Sequence, residues 1–243
     1  MRILLRAAVL VTIFVALAAG AWRLHKSRTH QLFTELVTRV ETSDSLVALT
    51  FDDGPSSHTD SVLAILASRD ARATFFVVGA AIESNPNDAR RIVDQGHELG
   101  NHSYSHQRLV LRGPSFVRGE ISSTDSLIHS VGQVEQPFFR PPYGKRLVVL
   151  PWILSRQGRP VVLWDLEPDS YPEIAASPDR IIEQVMDGVR PGSVILLHTE
   201  TAARVAQRAA LGQLIDRLRS EGYRLTTLRQ LLSSQGSPPA AHF

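Results

Sequence analysis

The amino-acid sequence predicts an α/β domain with a mainly parallel sheet, and two regularities predict it. From residue 46 to residue 232, short apolar runs alternate with stretches of helical periodicity. That alternation marks parallel strands joined by crossover helices. Ionisable residues also stand directly after five of the apolar runs: Asp52-Asp53, His102, Arg140, Asp165 with Glu167, and His198. In α/β barrels the C-terminal strand ends converge on one face, where side chains from different strands meet. Seven strand segments suit a closed barrel or an open doubly wound sheet, and periodicity does not choose between them.

Taken in order, the N-terminus comes first. Residues Ala7 to Trp22 form an apolar run preceded by Arg2 and Arg6, the pattern of a hydrophobic helix serving as signal anchor or cleavable signal peptide over 1–22. Small-x-small sites (Ala16-Leu17-Ala18, Ala19-Gly20-Ala21) would permit cleavage. Arg23, Lys26 and Arg28 follow, so both flanks are positive and orientation is weakly specified. Residues 23–45 read as a polar, partly helical stalk, 46–232 as the folded domain, and 233–243 as a disordered tail. The expected location is a bacterial inner membrane with the domain outside the cytoplasm, or secretion if the segment is cut. A cytoplasmic orientation is the alternative.

The expected strands are Leu46–Phe51, Ala73–Val78, the stretch around Glu98–Asn101, Phe138–Arg140, Val161–Trp164, Ser193–Leu197 and Tyr223–Thr226. The expected helices are Thr59–Ser68, Pro86–Gln95, Pro114–Ser130, Leu147–Gln157, Pro178–Val189 and Ala203–Glu221.

Composition narrows the chemistry. The 243 residues are 43% hydrophobic and 21% charged, which suits one large domain with a substantial core. The absence of cysteine excludes disulfides, iron–sulfur clusters, thiolate zinc sites and a cysteine nucleophile. The net charge is +2, but six of the 26 basic residues precede residue 46 against three of the 24 acids, leaving 20 bases and 21 acids in the body. No basic stripe marks the folded part, so nucleic acid is not an expected partner.

Five motifs carry the chemistry. In Thr50-Phe51-Asp52-Asp53-Gly54-Pro55, adjacent acids on an extended strand would point to opposite sides and hold different jobs. In Asn101-His102-Ser103-Tyr104-Ser105-His106, two histidines four apart would share one face of a helical turn. With a carboxylate they make a two-His, one-carboxylate set with open positions, suited to zinc or to iron, cobalt or manganese. In Phe138-Phe139-Arg140-Pro141-Pro142-Tyr143-Gly144, an arginine ahead of a rigid turn is a positioned charge able to pair a carboxylate. Trp164-Asp165-Leu166-Glu167-Pro168-Asp169-Ser170-Tyr171 sets acids among aromatics. Gly192-Ser193-Val194-Ile195-Leu196-Leu197-His198 ends an apolar strand on a histidine. His97 reads as packed structurally and His58 as a solvated loop residue.

In this order, the motifs resemble the NodB-homology polysaccharide deacetylases, carbohydrate esterase family four, over roughly residues 46–232. The resemblance implies a distorted (β/α) barrel of about seven parallel strands. It implies metal binding by Asp53, His102 and His106, with Zn2+ foremost and Co2+, Fe2+, Mn2+ or Ni2+ as alternatives. It makes Asp52 the catalytic base and His198 the acid, with Arg140 holding the base. The Pro142–Tyr143 turn would offer the Tyr143 N–H to the oxyanion, Leu196 would line a pocket for the acetyl methyl, and Ser103 would brace the histidine loop. The fourth motif departs from the family pattern of an aspartate, two residues and Asp-Trp. Aligned on Trp164, this chain has Glu167, Ser170 and Tyr171 there, so Glu167 or Asp165 is expected to orient His198, and Tyr171 to stack a sugar. The implied activity is removal of N-acetyl groups from an amino-sugar polymer, peptidoglycan or an exopolysaccharide. An O-acetyl esterase, a small-molecule amide hydrolase and a non-catalytic glycan-binding module are the competing readings.

Overall fold

A computed structural model describes residues 2–27 and 30–235. The tail expected from residue 233 falls largely outside them. The N-terminal helix α1 runs Arg2–Lys26, longer than the apolar run itself. Its Leu5, Val9, Leu10, Phe14 and Trp22 are exposed. Among the described residues, no helix is long and apolar enough to cross a membrane.

All seven expected strand segments take part in sheet pairing. The ladders are β1 (Leu36–Val37), β2 (Leu46–Gly54), β3 (Thr74–Val77), β4 (Glu98–Asn101), β5 (Val161–Val162), β6 (Val194–His198) and β7 (Arg224–Thr226). The sheet runs β4-β3-β2-β6, with β7 also on β2, and every ladder is parallel. Phe138–Arg140 contributes single parallel bridges, Asn101 to Phe139 and Phe139 to Val161, and Leu166 bridges Ile195. These links carry the pairing from β4 through residue 139 and β5 back to β6, so the strands go round a ring.

The strand sequences explain the layering. Both faces are covered, so β2 is buried almost throughout. Val47, Leu49 and Phe51 pack outward with α2 (Thr59–Ala67), α4 (Pro86–Asp94), α8 (Pro178–Gly188) and α9 (Val205–Ser220). Ala48 turns inward, where it joins Phe76, Phe139, Val161, Leu196 and Trp164. Thr50 and Asp52 share that parity, which aims Asp52 into the barrel at the C-terminal mouth. The other helices are α3 (Gly79–Ser84), α5 (Pro114–Ser130), α6 (Val149–Ser155), α7 (Pro172–Ala175) and α10 (Leu228–Ser233). The starts of α4, α5 and α8 were legible because each has proline in its first turn, where the missing N–H costs nothing. A capping box of Thr227 with Gln230 opens α10.

One boundary differs. Leu36 and Val37, placed in the stalk by the sequence reading, pair with Val161 and Val162, and Val37 and Val40 are buried. The segment reads as polar on average, but Val37 and Val40 enter the core while Leu32 and Phe33 stay exposed. Gly192 fastens this strap: its carbonyl accepts the Val40 N–H at 2.9 Å and its N–H donates to Leu46 at 2.8 Å. Its φ is +82°, and a Cβ there would lie 1.8 Å from the Val40 carbonyl oxygen. Gly192→Ala should therefore cost more than about 3 kcal/mol, from left-handed strain and a backbone clash together. Urea unfolding measures it, and a loss below about 1 kcal/mol would contradict the close approach.

Candidate active site

Asp52 and Asp53 lie just before Gly54, the last residue of β2. The register between β2 and β3 shifts between Asp52 and Gly54, and Asp53 has a φ of 75°. This corrects the extended-strand expectation: the left-handed residue turns the second acid, so both carboxylates face one cavity. The histidine pair is corrected in the same way. Residues 102–106 are an irregular loop, with Ser103 at φ 67° and His106 at φ 55°. The loop, not a helical turn, brings the rings to a 5.0 Å centroid separation.

That loop is held at several points. Ser103 Oγ accepts the His106 N–H at 3.0 Å, and Asn101 Oδ1 accepts the Ser103 N–H at 2.8 Å. Glu120, on α5, accepts from the N–H groups of Tyr104 and Ser105 at 3.1 and 2.9 Å and from the Ser105 hydroxyl at 2.8 Å. Asn101 donates to Asp125 at 2.7 Å, and Asp125 is gripped by buried Arg159. Glu120, which is buried, and Asp125, which is half-buried, carry no motif signal, because such an acid on an amphipathic helix looks like any surface acid in sequence.

The structure brings Asp53, His102 and His106 together. Asp53 Oδ1 lies 3.2 Å from His106 Nε2 and 3.6 Å from His102 Nε2, and their ligand atoms are close enough to hold one ion. The donor set fits a divalent cation on two observations. Asp53 Oδ1 is buried with no hydrogen-bond donor, a costly state unless a cation satisfies it. His102 Nδ1 sits 2.8 Å from the Arg140 carbonyl, which must accept a proton there, so the Nε2 lone pair points at the carboxylates.

Arg140 is fully buried. Its Nη1 donates to Asp52 Oδ1 at 2.7 Å and Thr50 Oγ1 at 2.9 Å, and its Nη2 to the Leu163 carbonyl at 3.0 Å. The guanidinium lies 3.9 Å from the Phe76 ring centroid. Burial works to raise the Asp52 pKa, but the charge and hydrogen bond of Arg140 and the charge of His198 outweigh it and hold the carboxyl below the ordinary range. Asp52 is therefore ionised at neutral pH.

His198 faces this group from β6, where it is the register partner of Asp52. The residue that orients it is Asp169, whose Oδ2 accepts the His198 backbone N–H at 2.7 Å and whose carboxylate oxygens both lie 3.2 Å from Nδ1. This corrects both sequence candidates. Glu167 accepts from Trp164 Nε1 at 2.8 Å, and Asp165 accepts from the Ser193 hydroxyl and the Val194 N–H, both at 2.8 Å. The Pro168–Ser170 turn is a 3₁₀ helix that swings Asp169 inward and buries it. Its signal was present, one residue short of the family's second acid.

Burial alone pushes the His198 imidazole down. The hydrogen bond and charge of Asp169, joined by Asp52 and Asp53, more than offset this and push its pKa up to about 9. Charged His198 thus stabilises the fold below its unfolded pKa of 6.5, and that contribution is lost as pH rises through about 9. Asp169→Asn should bring the imidazole down toward or below its ordinary value and flatten this pH dependence. An NMR titration of the His198 ring in wild type and variant checks it, and an unmoved titration would exclude Asp169 as the cause.

A cavity of about 440 Å³ opens over these groups, lined by Asp52, Asp53, His102, His106, Tyr143, Trp164, Glu167, Ser170, His198 and Arg204. Tyr143 takes a φ of 58° beyond Pro142, and its ring lies 4.9 Å from that of His106. Leu196 and Pro142 are buried and Tyr171 is exposed, and none of the three is among the residues lining this cavity. Arg204 was not anticipated. His97 is buried edge-on to Phe75, as expected, and His58 precedes α2 outside the cavity.

The family model "Polysaccharide deacetylase" matches residues 39–162, which includes the metal-ligand motifs and stops before His198. A peptidoglycan-N-acetylglucosamine deacetylase of Bacillus cereus is 34% identical over 191 residues, covering 77% of this chain and 68% of that protein. A second one from the same organism is 32% identical over 195 residues, covering 79% of this chain and 91% of its own length. A crystal structure of a peptidoglycan N-acetylglucosamine deacetylase with 4-naphthalen-1-yl-N-oxidanyl-benzamide has a TM-score of 0.77 at 30% identity, covering 84% of this chain and 96% of that one.

Proposed function

Because the chain belongs to the polysaccharide deacetylase family, we propose that its barrel mouth hydrolyses N-acetyl groups of an envelope amino-sugar polymer, peptidoglycan foremost, and releases acetate. The observation that carries this reading is that ionised Asp52 and protonated His198, register partners on adjacent strands, line one cavity together with the Asp53–His102–His106 set. An amide needs a base for the attacking water and an acid for the departing amine, and a binding module needs neither.

Asp53, His102 and His106 would hold the cation, which we assign as zinc, with cobalt, iron, manganese or nickel as other ions such donors take. When bound, it supplies Lewis acidity that polarises the acetyl carbonyl and lowers the pKa of water. Asp52, fixed by Arg140 and unable to rotate away, accepts the proton from water as it attacks the carbonyl carbon. His198 donates its Nε2 proton to the sugar nitrogen as the C–N bond breaks. Steps of this type contribute roughly 10²- to 10⁴-fold each. The Tyr143 backbone N–H is assigned to the oxyanion and its ring, with Trp164, to the sugar.

The pH dependence follows from His198. Since the protonated form is the acid, kcat/KM should fall as pH rises through about 9. The function itself is tested by acetate release from N-acetylglucosamine oligomers and peptidoglycan against acetylated xylan. Release from xylan alone would replace the amidase with an O-acetyl esterase. We also assign α1 as a membrane tether in the cell envelope, supported by its exposed Leu5, Leu10, Phe14 and Trp22 and the flanking arginines. A periplasmic reporter joined after residue 45 tests this, and a silent reporter would place the domain in the cytoplasm.

A further inference from the structure

The cavity wall contains one cation that the deacetylation chemistry leaves unused. Arg204, at the N-terminal edge of α9, lines the same cavity as Asp52, Asp53 and His198. Its side chain is 31% exposed, and its contacts run through Nη1 alone, 3.4 Å from the Asp169 carbonyl oxygen and 3.9 Å from Asp169 Oδ2. Among the described residues, no acceptor meets Nη2 or Nε. The neighbouring carboxylates already have partners: Asp52 has Arg140, Asp169 has His198, and Glu167 has Trp164. A second cation, the exposed Arg108, lies 4.9 Å from the ring centroid of Tyr143 on the cavity wall.

A guanidinium with two donors free and facing a substrate cavity matches a planar carboxylate, which it can hold through two parallel hydrogen bonds. A neutral sugar hydroxyl would fill one donor and leave the rest unmatched. Resting on the deacetylase reading, we propose that Arg204 is a specificity-determining residue that binds a carboxylate carried by the glycan beside the acetamido sugar. The substrate is then an acidic amino-sugar polymer and not a neutral one. Two sources present that group: the lactyl or peptide carboxylates of muramic-acid-containing strands, and uronic acids alternating with N-acetylglucosamine.

The rival explanation is structural. Arg204 touches Asp169, so it could act only by steadying the His198 partner. That role would weaken turnover of every substrate alike and move the alkaline limb of the pH profile. A carboxylate-binding role acts on KM and only where the carboxylate is present.

The test compares the full-length wild type with Arg204→Ala and Arg204→Lys on three probes: muramic-acid-containing glycan oligomers, N-acetylglucosamine–uronate oligomers, and neutral N-acetylglucosamine hexamer. Acetate release gives kcat and KM, and calorimetry gives affinity independently of turnover. We expect Arg204→Ala to weaken affinity for at least one acidic probe by about 10- to 100-fold, consistent with a lost charge-assisted contact, and for the neutral hexamer by less than about 3-fold. Arg204→Lys, which keeps the charge but not the fork, should fall between. Which acidic probe responds identifies the source. Equal loss on all three probes, or no loss on any, overturns the proposal, as does a shifted alkaline limb with unchanged affinity ratios. If wild type releases acetate from none of them, the deacetylase reading fails, while the affinity ratios still decide the role of Arg204.

Discussion

Replacing Asp52 by asparagine should lower kcat by about 10²- to 10⁴-fold while bound metal persists. Asparagine keeps the shape and a carbonyl oxygen for Arg140, but it cannot accept a proton at neutral pH. Asp52 lies 3.6 Å from His102 Nε2 through Oδ2, the same separation that Asp53 shows. Yet Asp53 alone also reaches His106, so the ion should remain. The change also leaves Arg140 charged and fully buried without an anion. Removing one partner of such a pair costs about 3–5 kcal/mol, so stability must be read alongside kcat, with metal content by mass spectrometry. A folded, metal-loaded variant that keeps wild-type kcat would remove Asp52 from the role of base.

Asp53→Ala should have the larger effect, with metal and turnover lost together and kcat/KM down by at least about 10³-fold. Lewis-acid stabilisation is worth several kcal/mol, and the alanine leaves only two imidazoles. Asp53 also occupies a left-handed conformation at φ 75°, a strain of order 1–3 kcal/mol for a non-glycine residue. Asp53→Gly therefore separates the two roles: it should be as inactive as the alanine variant yet more stable than it. Measured turnover in a metal-free Asp53→Ala preparation would end the ligand assignment.

How much of this was legible in the chain varies with the physics of each part. Strands such as Val194–His198 were readable because burial on both faces demands an unbroken apolar run, and helices opening on Pro86, Pro114 and Pro178 announced their first residue. The residues of the metal set were legible as chemistry, but the geometry inferred for them was not the one found. Neither the helical turn for His102 and His106 nor the opposed acids at 52 and 53 occurs, because positive φ at Asp53, Ser103 and His106 has no glycine to advertise it. Asp169 was missed since a 3₁₀ turn, not strand alternation, sets its direction. Glu120, Asp125 and Arg204 reach the site from distant parts of the chain, which only the tertiary arrangement brings together.

Arg140 holds two tasks on separate parts of one residue. The side chain fixes Asp52, and the main-chain carbonyl fixes the tautomer of His102. Mutation can erase the first but never the second, because every amino acid supplies a carbonyl. Drift at position 140 would thus disarm the base while the ion remains seated, yielding a cation-loaded protein that is inert toward its polymer. Metal content is for that reason a poor proxy for competence in this chain, and occupancy assays alone would score such a variant as intact.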